Sequence, residues 1–197
     1  MAFGFPVSLE VAGRRCVVFG AGPLAQSRAA ALLDAGAAVT VIARPHEDGD
    51  LAGAFLAVAA TGDPAETARI FAEAEREGVL LNAVDDPAHC HFAVPAVLRR
   101  GDLLVAVSTG GRAPGFAGRV RDEVARTVGA EHGALLDLIA EVRAELPAEW
   151  AAGWRDALDP VLIGHDVIGL VRAGRTGEAA TLLRAALLAD EYKEAVA

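Results

Sequence analysis

A glycine turn between an apolar strand and a helix limits the possible folds of this chain more than any other feature. Residues 16–19 (CVVF) form a short apolar run, which is typical of a strand buried in a parallel sheet. The run leads into Gly20-Ala21-Gly22, and residues 24–35 then predict a helix that Gly36 ends. Residues 39–43, rich in β-branched side chains, predict a second strand. Together these segments make one complete βαβ unit.

The alternation of strands and helices continues beyond this first unit. Residues 54–60 and 80–84 predict two more buried strands, and residues 65–77 predict the helix between them. Residues 103–108 predict a further strand. Such alternation implies an α/β fold whose parallel sheet is covered on both faces. With the glycine turn, it predicts a Rossmann-like dinucleotide-binding domain over residues 1–112.

Beyond Pro114 the strand signals stop and helical patterns follow. Residues 116–128 and 133–146 predict two helices, and residues 150–197 predict two or three more. From the pattern alone, this helical region serves either internal packing or dimerisation.

Composition excludes several classes of function. The 197 residues carry a formal net charge of −9, which argues against nucleic acid or an anionic membrane as the main partner. No apolar run reaches the ~18 residues that a membrane span needs, and the N-terminus has no features of a secretory signal. Cys16 and Cys90 form no disulfide framework, so a reducing cytoplasm is the expected location.

One stretch is basic against this acidic background. Between residues 99 and 126, six arginines are opposed by only three acidic residues. Such a basic stretch could bind a polyanionic small molecule, or it could be a solvated helix face with local ion pairs. The arginines are Arg99, Arg100, Arg112, Arg119, Arg121 and Arg126.

The glycine turn itself matches the dinucleotide-binding pattern G-x-G-x-x-A. Gly20 would permit the tight turn, and Gly22 would let the backbone approach a pyrophosphate. Ala25 would keep helix and strand close, while the helix N-terminus attracts the anion. The expected cofactor contacts of this segment are Gly20, Ala21, Gly22, Pro23, Leu24 and Ala25.

The end of the second predicted strand leaves the choice of cofactor open. An Asp or Glu usually binds the adenosine ribose at this place in a Rossmann fold, but here the chain has Ala43 and Arg44. Arg44 could accept the 2′-phosphate of NADP. It could equally be a surface residue that leads into the acidic loop of residues 47–50.

Asp85 is the main candidate for chemistry. It directly follows residues 80–84, and ligands of open α/β sheets bind outside the carboxyl ends of the strands. A dehydrogenation that releases a proton needs a base, which a carboxylate can supply. The alternative is that Asp85 or Asp86 caps the helical turn near Pro87. We assign Asp86 to capping and Asp85 to chemistry.

Two other short motifs adjoin the predicted strands. The loop of residues 108–112 can bring backbone amides, hydroxyls and the Arg112 guanidinium to a ligand, or it can be a flexible exit. Residues 89–91 (HCH) do not predict a metal site, because adjacent side chains rarely converge on one ion without further ligands.

Longer segments carry a family resemblance. They are FPVSLEVAGRRCVVFGAGPLA, DLAGAFLAVAATGDP, LLNAVDDPAHCHFAVPAVLRRGDLLVAVSTGGRAPGFAGRVRDEV and, in the tail, Trp154, Leu158 and RAGRTGEAATLLRAALL. On these segments the chain resembles the precorrin-2 dehydrogenases. That family includes the N-terminal module of siroheme synthase and standalone dehydrogenase/ferrochelatase enzymes.

The resemblance implies a function and an assembly. It implies NAD-dependent oxidation of precorrin-2 to sirohydrochlorin, for sirohaem or cobalamin biosynthesis, and some members also insert Fe²⁺. It further implies a cytoplasmic homodimer, with dimerisation helices over residues 113–148 and a helical C-terminal domain over residues 149–197. The tetrapyrrole substrate bears many carboxylates, which would explain the basic stretch.

The resemblance also assigns roles to single residues. Asp85 corresponds to the family's essential aspartate. Thr61 and Gly62 border the nicotinamide side of the cofactor. Residues of the glycine loop contact the macrocycle, and one relative carries a phosphorylated serine at the position of Thr109. The expected substrate contacts are Ser108, Thr109, Gly110, Gly111 and Arg112.

One segment departs from the family pattern. Members usually have a helix and another strand after the second strand, where they help to enclose the adenosine side of the cofactor. Here Ala43 leads almost at once into Arg44 and the acidic loop, and Gly62 replaces a common aspartate. The sequence therefore leaves open a non-catalytic tetrapyrrole carrier or regulator, or a chelatase without dehydrogenase activity.

Overall fold

A computed structural model describes residues 3–145 and 154–187. The chain divides into two compact units. The first combines Met1–Pro95 with Ser108–Pro114, and the second combines Ala96–Val107 with Gly115–Ala197.

The first unit is built on a four-stranded parallel sheet with the order β2-β1-β3-β4. The predicted βαβ unit and the two strands that follow it are confirmed, with bounds that shift by one or two residues. The strands are β1 (Arg15–Phe19), β2 (Ala38–Ile42), β3 (Leu56–Ala59) and β4 (Leu80–Ala83).

Two helices connect these strands, and local sequence explains where each begins and ends. Helix α1 (Pro23–Asp34) and helix α2 (Pro64–Glu77) both begin with proline, whose fixed φ suits the first helical position. The Asp63 side chain accepts a hydrogen bond from the Ala65 amide and so caps α2. At the other end Gly78 takes a left-handed conformation with φ +67°.

The hydrophobic core lies on both faces of the sheet, as the alternation predicted. Successive residues of β1 point to opposite sides, so that Val17 and Phe19 pack with Ile70 and Leu81. Their neighbours Cys16 and Val18 pack instead against the face covered by α1. These four side chains of β1, residues 16–19, are fully buried. Each large apolar side chain buried in this way contributes ~1.5–3 kcal/mol.

Strand β2 is the edge of the sheet, and the chain passes from it to β3 without another helix or strand. Across the described ranges 3–145 and 154–187, no strand pairs with its outer side. Val41 of this strand is 51% exposed. Residues 43–55 form a single connecting loop.

A buried carboxylate holds this connecting loop in place. Glu73 of α2 is 1% exposed and accepts hydrogen bonds from the amides of Gly49 (2.9 Å) and Leu51 (3.1 Å). It also pairs with the His46 ring, which is itself buried. These hydrogen bonds satisfy a carboxyl group that would otherwise be costly to bury.

The prediction for residues 103–108 is partly wrong. They do form a strand, β6 (Leu103–Val107), but it pairs antiparallel with β5 (Ala96–Arg100) in a separate two-stranded sheet. The two-residue Gly101-Asp102 turn, with Gly101 at φ +58°, is a hairpin signal that could have revealed the pairing.

Helices make up the rest of the second unit, and both predicted middle helices are confirmed, although residue 146 lies outside the described residues. Leu135 and Val142 pack with Leu158, Val167, Val171, Ala179, Leu183 and Leu187 in one core. None of the helices in the described residues is long and apolar enough to cross a membrane. The helices are α3 (Pro114–Thr127), α4 (Ala130–Ala144), α5 (Trp154–Gly164), α6 (Val167–Arg172) and α7 (Thr176–Leu187).

We predict that Glu73→Ala lowers the free energy of unfolding by about 3–5 kcal/mol, because it leaves two buried amides and a histidine without their acceptor. Chemical denaturation followed by circular dichroism measures this loss. Glu77→Ala, an exposed change on the same helix, is the matched control. Equal stability of the two variants would contradict the anchoring role of Glu73.

Candidate functional site

The glycine turn brings the ends of three strands together. The Gly20 amide donates to the Ile42 carbonyl over 2.9 Å, which joins the turn to the end of β2. Gly20 has φ +120°, and a Cβ there would lie 2.3 Å from the Ala60 carbonyl oxygen. Ala25, 1% exposed, packs against the same point. The residues predicted for a tight turn and for close helix–strand packing are therefore in contact.

The second glycine of the motif faces open space. Gly22 is the N-cap of α1 and has extended backbone angles. Because glycine has no side chain, it makes no capping hydrogen bond to the first-turn amides of this helix. No described atom lies within 4 Å of where its Cβ would be. The first turn of α1 also has no acidic side chain. An anion could thus approach the helix N-terminus, where the dipole favours it.

A cleft of about 400 Å³ lies beside this turn, at the carboxyl ends of β3 and β4. Its volume falls in the range of small-molecule sites. Of the predicted site residues, Leu24, Gly62 and Asp85 line it together. The full lining is Leu24, Ala59, Ala60, Gly62, Asp63, Pro64, Thr67, Val84, Asp85 and Asp86.

Asp85 has an unusual backbone conformation. Its φ of +59° lies in the left-handed region, which non-glycine residues seldom occupy. Just before it, the Val84 amide donates to the Ala59 carbonyl over 2.8 Å and extends the β3–β4 pairing. The chain therefore turns sharply at the end of the sheet, and Asp85 is exposed in the wall of the cleft. Strained residues of this kind are often found at functional sites.

Asp86 does not have the capping role that the sequence suggested. It precedes the short 3₁₀ turn Pro87–His89, but among the described residues its side chain bonds no amide of that turn. Instead, Asp86 Oδ2 lies 2.6 Å from Nδ1 of His89, whose ring packs edge-on against Phe71. Asp86 also lines the cleft, so the site holds three carboxylates: Asp85, Asp86 and the helix-capping Asp63.

Arg44, at the end of β2, is held by the loop that follows it. Its guanidinium makes a bidentate pair with Asp50, with N–O distances of 2.7 and 2.9 Å. The hydrogen bond from Arg44 holds the pKa of the Asp50 carboxyl below its usual range, so the pair stays charged at neutral pH. Ala43, just before it, is exposed at the strand end.

Thr61 and Gly62 form the turn that leads from β3 into α2. The Thr61 hydroxyl accepts from the Asp63 amide over 3.2 Å and lies 3.3 Å from the Thr67 hydroxyl. Gly62 has φ +76°, a conformation that explains glycine at this position. Of the two, only Gly62 is in the wall of the cleft.

The loop of residues 108–112 belongs to the first unit but is absent from the cleft lining in the described structure. The Ser108 hydroxyl accepts from the Gly110 amide (3.2 Å), and the Thr109 hydroxyl accepts from the Ala113 amide (3.1 Å). Gly110 and Gly111 both have positive φ. Arg112 belongs to this loop, whereas the other five arginines of the basic stretch belong to the second unit.

Residues 89–91 each have a separate partner. His91 pairs with Glu75 at 2.6 Å, while the Cys90 thiol bonds backbone groups of Ala83. Burial raises the pKa of that thiol, which disfavours the thiolate that a metal would need. Sequence reasoning missed a different group, His46, Asp48 and Glu73, whose potential ligand atoms lie within 4.8 Å of one another.

The fold and its cleft define an α/β protein of the Rossmann type, and two family models match the chain in order. Residues 7–96 match a family described as "Putative NAD(P)-binding". Residues 100–127 match one described as "Sirohaem biosynthesis protein central". The chain belongs to the family of the N-terminal module of siroheme synthase.

Similar proteins agree with this placement. The siroheme synthase of Azotobacter vinelandii is 36% identical over 161 residues, covering 72% of this chain and 35% of that protein. The siroheme synthase of Methylobacillus flagellatus is 32% identical over 189 residues, which cover 83% of this chain and 40% of that protein. This chain thus spans well under half of each relative's length. The solved structure of SirC, a precorrin-2 dehydrogenase, has the same fold, with a TM-score of 0.69 and 19% sequence identity. The match covers 91% of this chain and 98% of the SirC chain.

The two glycines of the turn should respond differently to alanine. Gly20→Ala places a Cβ against the Ala60 carbonyl and should lower the free energy of unfolding by about 3 kcal/mol or more. Gly22→Ala meets open space, so the free energy of unfolding should fall by less than about 1 kcal/mol, the cost of alanine at an N-cap. NADH binding should weaken about tenfold, ~1.4 kcal/mol, because the new Cβ would occupy the approach of the pyrophosphate. Thermal melts and fluorescence titration measure the two effects. Unchanged NADH affinity in a folded Gly22→Ala variant would argue against a pyrophosphate at this turn.

Proposed function

We propose that this chain is an NAD-dependent precorrin-2 dehydrogenase that forms sirohydrochlorin for sirohaem biosynthesis. The observation that carries the proposal is the position of Asp85 in one cleft with Leu24, on the first turn of the glycine-motif helix. A cofactor at the turn and a carboxylate at the neighbouring strand end are the two parts that the oxidation requires. The names of the siroheme synthase relatives and of SirC support the same activity.

The division of work between cofactor and protein follows from the chemistry. Bound NAD supplies the hydride acceptor. The remaining hydrogen leaves precorrin-2 as a proton, which needs a base at the macrocycle. Asp85, exposed in the cleft wall, would accept that proton or orient the substrate. His89 holds Asp86 in place through their 2.6 Å bond, which leaves Asp85 as the freer carboxylate.

The proposed substrate contacts outside the cleft are Ser108, Thr109, Gly110, Gly111 and Arg112. Gly110 and Gly111 have no side chains and positive φ, so they would let a substrate come close to the backbone of this loop. The arginine would meet a substrate carboxylate through paired N–H donors. The positive charge of the basic stretch would also favour a polyanionic tetrapyrrole as substrate.

We propose a homodimer that acts in the cytoplasm. Of the described residues of α3, only Ala117 is buried, and Phe116 is 62% exposed. A helix this poorly covered in the single chain suits a subunit interface. Both cysteines are free thiols, in keeping with a reducing compartment. Light scattering should give twice the 20.2 kDa mass of the chain, and a monomer at micromolar concentration would reject the dimer.

Insertion of Fe²⁺ into sirohydrochlorin is a second candidate function, because Asp85 and Asp86 supply two oxygen-donor groups in the cleft. Assays with sirohydrochlorin and Fe²⁺ in the absence of NAD separate it from oxidation. A tetrapyrrole carrier, suggested by the short loop after β2, would bind sirohydrochlorin but not NADH.

Asp85→Asn should lower the rate of sirohydrochlorin formation by about 100-fold or more, since the amide cannot accept the proton. NADH affinity should stay within twofold or so of the unaltered protein, because the pyrophosphate turn is untouched. Absorbance of the product, with precorrin-2 and NAD supplied, follows the rate. Asp34→Asn, an exposed change at the end of α1, is the control. Full activity of Asp85→Asn would remove the proposed role of this carboxylate.

A further inference from the structure

The loop after β2 places an ion pair where Rossmann folds distinguish the two nicotinamide cofactors. Ile42, the last residue of β2, is bonded to the Gly20 turn, and Arg44 follows two residues later. In this fold the end of the second strand faces the adenosine ribose, whose 2′ position carries a hydroxyl in NAD and a phosphate in NADP. An arginine here would ordinarily suggest NADP.

The guanidinium of Arg44 is already engaged. It makes three hydrogen bonds: two to the Asp50 carboxylate and one to the Pro45 carbonyl (2.9 Å). A second carboxylate, that of Glu47, lies 3.7 Å from it. Most of the guanidinium N–H groups that could donate to a phosphate therefore already donate to groups of the loop.

Asp50 is not free to move aside. Its side chain is 10% exposed, and Oδ2 also accepts a hydrogen bond from the Glu47 amide over 2.9 Å. The backbone carbonyls of Asp50 and Ala52 are bound by Arg15 of β1 over 2.9 and 2.6 Å. With Glu73 bonded to Gly49 and Leu51, the loop is fastened on both sides of Asp50.

The charge of the loop adds to this effect. Residues 44–50 contain one arginine against Glu47, Asp48 and Asp50, so the segment is acidic even with Arg44 counted. The negative carboxylates of this segment would repel the 2′-phosphate of NADP, because the segment has no further arginine or lysine to offset them. The 2′-hydroxyl of NAD has no charge and would not be repelled. Like charges brought together at a binding site strongly disfavour the wrong ligand.

We propose that the Arg44–Asp50 ion pair makes this site select NAD(H) and reject NADP(H). Arg44 thus supports the loop and is not a phosphate ligand. The inference rests on the proposed dinucleotide function and adds the residues that choose between the cofactors.

The test is fluorescence titration of the full chain with NADH and with NADPH. The unaltered protein should bind NADH at least about tenfold more tightly than NADPH. Asp50→Asn removes the charge and frees Arg44, so NADPH affinity should rise and the ratio of the two dissociation constants should fall toward one. Asp48→Asn is the matched control: it makes the same charge change in the same loop, but Asp48 is exposed and pairs with Arg76, not Arg44.

A second variant keeps the test decisive if Asp50→Asn fails to fold. Glu47→Gln alters an exposed side chain near Arg44 and should move the ratio in the same direction by a smaller factor. Equal affinity of the unaltered protein for both cofactors, or equal shifts in Asp48→Asn and Asp50→Asn, would overturn the role of the ion pair. Absence of binding of either cofactor would instead overturn the proposed dehydrogenase function.

Discussion

The close approach of three strand ends around Gly20 is the contact on which the rest of the site depends. A hydrogen in place of a side chain lets the Ala60 carbonyl come within reach of the turn, while the Gly20 amide binds Ile42. This convergence sets where α1 begins and where β2 and β3 end. The cleft, the Asp85 bend and the Arg44 loop are all arranged around those endpoints.

A buried carboxyl group orders the connection between β2 and β3. Glu73 ties the loop after β2 to α2, and Arg15 ties the same loop to β1. Polar anchoring of this kind orders a short connection without a larger core, but it depends on every donor and acceptor being matched. The same loop brings Asp50 to Arg44.

Much of the site could be predicted because it depends on local sequence. Apolar runs, capping residues and the G-x-G-x-x-A spacing fix β1, α1 and β2 within a residue or two, and the strand-end position of Asp85 follows from the parallel sheet. The role of Asp86 could not be predicted in the same way. Asx residues before a proline commonly cap, and only the packing of His89 on Phe71 offers this carboxylate a different partner.

By itself, the sequence determined the parallel βαβ core, the glycine turn and the carboxylate that follows β4, because each of these features depends on residues that are close together in the chain. Tertiary structure decided the burial of Glu73 and the partners of Arg44 and Asp86. The physical reason is the same in each case. Hydrogen bonding and charge compensation are satisfied by whichever groups the folded chain brings within about 3 Å, and periodicity in the sequence carries no information about that choice.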